Sequence, residues 1–158
     1  MKQILLVLFT ITMLACGGGD PAPTPTPPPP TVNVATLVKK VWTASSVQWD
    51  GVTKYEKAGT SNVVQGYSQY KLDLSNASSV TLTEFDGKIF TGTYTVATDG
   101  KSLTLSGLTS AEGAPTGSSG TIVYTILSTP TATALSLQQT TAYVIASSAI
   151  VKLGLVAP

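Results

Sequence analysis

Between residues 79 and 106, apolar and hydroxyl-bearing positions take turns along three consecutive runs separated by Asp-Gly pairs. In the middle run Phe90, Tyr94 and Val96 share one parity, with Gly92 among them, and Thr91, Thr93 and Thr95 hold the other. On either side, Val80 and Leu82, and then Leu103 and Leu105, alternate with Thr and Ser. Side chains alternate faces along an extended chain, so this period of two predicts three strands with one oily face and one hydroxyl-covered face. Asp86-Gly87 and Asp99-Gly100 predict tight type I′ hairpin turns, which need positive φ at both central residues. The product is an antiparallel meander whose oily face must be covered.

The same pattern extends in both directions. Val34, Leu37, Val38 and Val41 fall at helical spacing behind Asn33, a candidate N-cap, which predicts one or two helical turns. Residues 41–49 read as a strand in which Val47 and Trp49 share a parity with Val41 while Trp42 lies opposite. That conflict predicts a bulge, or a strand start buried on both sides. Asp50-Gly51 turns the chain into a short strand at residues 52–55, and residues 57–66 are Gly/Ser/Asn-rich and read as a loop. From Ser68 to Leu74, Tyr70, Leu72 and Leu74 point one way and Gln69, Lys71 and Asp73 the other. Residues 107–120 form the longest irregular stretch, and residues 121–127 are apolar on both parities, which predicts a strand either buried on both faces or central in the sheet. Strands at residues 134–138 and 150–156 complete the series, with residues 141–149 ambiguous between them. Eight or nine short strands in sequential order predict an all-β fold, a closed antiparallel meander behind a short N-terminal helix.

Composition narrows the function classes. Nine lysines, no arginine and eight acidic residues leave no basic patch for phosphates, which argues against nucleic-acid binding. The absence of histidine removes the commonest general base and metal ligand together. Glu84 and Asp86 are the one carboxylate pair worth weighing for acid–base work, but Asp86 is explained by its turn, and Glu84 is expected to face solvent or to cap the strand end. No Gly-x-Ser-x-Gly elbow or paired metal-ligand motif occurs. We therefore expect no catalytic residues, no metal, no cofactor and no enzyme activity.

The first residues carry an address. Lys2 precedes an apolar run from Ile4 to Ala15, the n- and h-regions of a signal peptide and too short for a comfortable membrane span. Met13-Leu14-Ala15-Cys16 resembles the lipobox of bacterial lipoproteins, and Cys16 is the sole cysteine of the chain. The resemblance implies cleavage after residue 15, acylation of Cys16 with palmitate-type chains and a membrane anchor. With Gly17 following the cysteine, it also implies the outer membrane, facing the periplasm or the cell surface. Residues 16–31 then form a Gly/Pro-rich tether with seven prolines between Pro21 and Pro30. Such a run favours polyproline II at ~3.1 Å per residue and acts as a spacer. Residues 32–158 remain for one folded domain.

The leader, the short helix, Val41-Trp42-Thr43 at the start of the first strand and the Asp-Gly-Lys, Gly-Thr-Tyr and Asp-Gly-Lys-Ser-Leu segments of the meander resemble lipocalin-like lipoproteins of the Bacteroidetes type. This resemblance implies that the meander closes into a lipocalin-like barrel able to hold a small apolar ligand. The inward set Trp42, Tyr70, Phe90, Tyr94, Leu105 and Tyr124 would line such a cavity, or equally form the core of a filled barrel. A different class of reading is a surface-displayed β-sandwich acting as an adhesion or scaffolding module. Tyr55 and Tyr67, flanking the Gly/Ser-rich loop, would then stack on glycan or contact protein.

Overall fold

The computed structural model describes residues 32–158; the leader, Cys16 and the tether lie outside them. A single helical turn, α1 (Val34–Leu37), opens the domain, capped by Asn33, whose side chain accepts from the Thr36 N–H at 3.2 Å. Nine strands follow among the described residues: β1 (Val41–Trp49), β2 (Val52–Glu56), β3 (Lys71–Asp73), β4 (Ser79–Thr83), β5 (Ile89–Val96), β6 (Ser102–Thr109), β7 (Ile122–Ile126), β8 (Ala134–Gln139) and β9 (Val151–Val156). Each pairs antiparallel with its successor from β3 to β9, and β9 pairs with β1. The other edge of β1 is shared: Val41–Thr43 meets β3, and Ser46–Trp49 meets β2. The sheet is thus a closed eight-stranded barrel with β2 as an extra strand.

Closure follows from the alternation, because a sheet with one oily face can hide it by curling. Leu72, Leu82, Leu103, Leu105, Leu137, Leu153 and Leu155 are all at most 1% exposed, while the intervening Thr, Ser and Lys face out. Two bulges resolve the parity conflicts. In β1 the register against β9 slips between Ala44 and Ser46, so Trp42 and Ala44 are buried before the bulge and Val47 after it. In β6 the register against β5 slips at Gly107, whose φ is +63°, and Leu108 returns to the core. Gly92 lies opposite this bulge, where an added Cβ would stand 2.6 Å from the Ser106 carbonyl oxygen. Its bare backbone lets the kinked β6 approach.

The turns differ from expectation in an informative way. Of the three Asp-Gly pairs, Asp50-Gly51 alone has positive φ at both residues, +46° and +81°, as a type I′ turn requires. At the two meander turns only the glycines are left-handed, Gly87 at +85° and Gly100 at +69°. There the Gly87 N–H donates to the Glu84 carbonyl and the Gly100 N–H to the Ala97 carbonyl, both at 2.9 Å. Asp86 and Asp99 turn their carboxylates onto the N–H two residues on, at 3.1 and 2.9 Å. These are turns with a glycine bulge, where Asp acts through its side chain rather than by tolerating positive φ.

Three further expectations are corrected. β7 is not buried on both faces: Ile122, Tyr124 and Ile126 are inside, but Leu127 is 42% exposed, because the outside of an antiparallel barrel meets water. Ser68 and Gln69 belong to a 3₁₀ helix, Gln65–Gln69, rather than to β3. Tyr55 and Tyr67 are buried, at 5% and 2% exposure, and so present no aromatic strip to a glycan. With the sheet closed, the β-sandwich is replaced by a barrel.

Candidate functional site

The two ends of the barrel are closed by different materials. At the first, α1 supplies the plug: Val38 is fully buried, and the Trp42 indole N–H donates to its carbonyl at 2.8 Å. Nearby the Tyr94 hydroxyl donates to the Leu74 carbonyl at 3.1 Å. At the other end stand the Asp50-Gly51 turn, the Gln65–Gln69 helix, the β4–β5 turn, the β6–β7 loop and residues 140–150, which include a 3₁₀ turn, Val144–Ala146. Tyr67, Phe85 and Trp49 roof this end, with Tyr67 and Phe85 ring centroids 4.7 Å apart and the Trp49 indole donating to the Tyr67 hydroxyl at 2.8 Å.

Beneath this roof lies a polar cluster. Val80, Leu82 and Glu84 share one parity, so the alternation that buries the two aliphatic residues carries Glu84 inward as well, to 2% exposure. It does not face solvent as the sequence reading expected, and it does not pair with Asp86, whose carboxylate is engaged in its own exposed turn. The Tyr143 hydroxyl donates to Glu84 Oε1 at 2.6 Å. Burial pushes the Glu84 carboxyl up to about 7; the bonds from Tyr143 and the Phe85 backbone N–H oppose the rise, and Asp86 adds to it. Burial likewise holds the hydroxyls of Tyr67, Tyr70, Tyr124 and Tyr143 above the usual phenol value, so all four are neutral donors and acceptors. Gln139 follows Leu135 and Leu137 on the inward parity of β8 and is 4% exposed. Its carboxamide lies by the Tyr124 hydroxyl, and its Oε1 has no hydrogen-bond partner among the described residues.

These side chains enclose a cavity of about 10 Å³, lined by Glu84, Gln139 and the four tyrosines, with Val151 and Leu153 at its base. That is room for roughly one water-sized group. A surface groove of about 270 Å³ lies alongside, between the β6–β7 loop and residues 140–143, and it shares Gln139 and Tyr143 with the cavity.

All six residues expected to line a ligand site point into the barrel and are buried. Tyr70 and Tyr124 meet at the polar cavity, their hydroxyl oxygens 3.5 Å apart. Trp42 and Tyr94 sit toward the α1 end, Leu105 lies in the middle of the core, and Phe90 borders a separate 60 Å³ surface pocket beside the β4–β5 turn. Glu84 is legible in the sequence only as half of a candidate carboxylate pair and Gln139 not at all, although their parity was the available signal. Tyr143 had none, since it lies in an irregular segment.

No family model matches the chain, and no curated protein matches it. Among solved structures, a lipocalin-like protein from Bacteroides uniformis ATCC 8492 is similar, with 13% identity, coverage of 77% of this chain and 99% of that chain, and a TM-score of 0.49. The fold assignment rests on the strand pairing itself. Eight antiparallel strands in sequential order, closed by β1 on β9, make this domain an up-and-down β-barrel, the architecture that lipocalins also have.

Proposed function

We propose that this chain is a bacterial lipoprotein, anchored in the outer membrane through acylated Cys16, whose barrel binds a small, largely apolar molecule and catalyses nothing. The observation that carries the binding reading is the partly satisfied polar cluster inside the capped end. A barrel that is only a core gains nothing from a carboxyl group there: burying Glu84 and leaving the Gln139 oxygen without a partner both cost free energy. Such groups are understandable where a ligand completes them. The groove beside Gln139 and Tyr143 offers the approach, and the aromatic roof offers apolar surface.

The test is uptake of an environment-sensitive hydrophobic dye by the purified full chain. Saturable binding at one site per chain is expected, with competition when the groove is blocked by Ala142→Trp. Uptake that never saturates, or that ignores the blocking substitution, would leave the barrel without a carrier role.

A further inference from the structure

We propose that the cavity bounded by Glu84, Gln139 and the tyrosines receives a primary ammonium group, whose apolar remainder lies in the adjoining groove. This rests on the binding reading above and names the chemistry of the ligand's polar end.

The lining decides the class. The residues around the cavity carry a carboxyl group, a carboxamide oxygen unpartnered among the described residues, and four phenols. Nothing cationic enters it: its polar lining is Glu, Gln and Tyr, and the one ion pair among the described residues joins Lys88 to Glu112 on the surface. Oxygen acceptors together suit a cation. An anion would meet Glu84 unfavourably, and a neutral alcohol brings one donor where an ammonium brings three.

Size and surroundings agree. A space for one water-sized group fits an ammonium head and excludes a trimethylated one. The groove beyond mixes Val123 and Ala142 with Ser118, Thr121, Thr140 and Thr141, so it offers a short tail some apolar wall within a largely polar rim. A buried carboxylate is costly alone and far less so beside a cation, so the incoming ammonium supplies the partner the fold withholds from Glu84. The titratable groups around Glu84 are Tyr143 from residues 140–150, Asp86 from the β4–β5 turn, Tyr67 and Tyr70 before β3, and Tyr124 from β7. Of these only Asp86 is a carboxylic acid, and it is exposed. The ammonium head therefore requires the ionised form of Glu84 alone.

The experiment is calorimetric titration of the purified full chain with benzylamine and with benzyl alcohol, its neutral counterpart. At pH 8 benzylamine should bind at least tenfold more tightly. Its affinity should weaken about tenfold at pH 6, as Glu84 takes up its proton, while that of the alcohol stays level. Glu84→Gln, which keeps the shape, should abolish the preference for the amine. Equal binding of the two probes, or a preference that survives Glu84→Gln, overturns the ammonium assignment. If the dye binds saturably and benzylamine does not, the assignment fails while the carrier reading stands. If dye, amine and alcohol all fail to bind, both fall together.

Discussion

Glu84 shows how one residue can be placed by a pattern and yet be costly to the fold. Its carboxyl ordinarily titrates at 4.5 and here does so at about 7, chiefly through burial. Below the lower value the group is protonated in both folded and unfolded chains, and stability is indifferent to it. Between the two values the folded chain holds a proton that the unfolded chain has released, so stability falls as pH rises. Above about 7 the penalty is constant, on the order of 3 kcal/mol. Glu84→Gln removes the titration while keeping an acceptor for Tyr143. Urea unfolding should find the variant more stable than the parent by about 3 kcal/mol at pH 8, and equal to it within a few tenths at pH 4. A parent protein no less stable at pH 8 than its variant would mean that Glu84 is better solvated than its burial indicates. The same parity rule that puts Leu82 inside put Glu84 there; the sequence reading set it aside because a carboxylate at a strand end more commonly meets water.

Among the elements, the β5–β6 hairpin is where backbone and side-chain logic separate. Gly107 supplies the left-handed residue of the bulge, and no atom outside its immediate chain neighbours lies within 4 Å of an added Cβ. Gly92 has an ordinary strand conformation and almost no room. Gly107→Ala should therefore cost about 1 kcal/mol, the strain of an alanine at positive φ. Gly92→Ala should cost more, about 2–3 kcal/mol, because the Ser106 backbone has to retreat and the bulge with it. Thermal unfolding of the two variants checks the ordering. A reversed order would show that the approach of β6 to Gly92 relaxes easily. The space beside Gly92 is filled by the neighbouring strand.

For the whole molecule, the question is what the folded barrel and the residues before it do together. Acylation of Cys16 would anchor the domain by ~0.8 kcal/mol for each methylene buried in the bilayer. Cys16→Ser should move the protein from the membrane pellet to the soluble fraction with the barrel's unfolding transition unchanged. Retention in the pellet would refute the lipid anchor and leave the fold untouched. Because the ligand reading rests on the barrel and the anchor reading on the leader, neither outcome decides the other.

The alternation from residue 79 to 106, repeated on either side, was sufficient to establish that this chain is antiparallel and all-β and which of its strand side chains share a face, because a period of two is a local property of extended backbone; that the sheet closes on itself as a barrel was decided by the pairing of β1 with β9. Trp42, Tyr70, Phe90, Tyr94, Leu105 and Tyr124 were legible as interior for that reason. Only the tertiary structure decided how the two ends close, that Tyr55 and Tyr67 are covered, and that Tyr143 reaches Glu84 across 59 residues of chain. Those contacts join segments distant in sequence through irregular turns, whose geometry is set by the surfaces they land on rather than by any periodicity of their own.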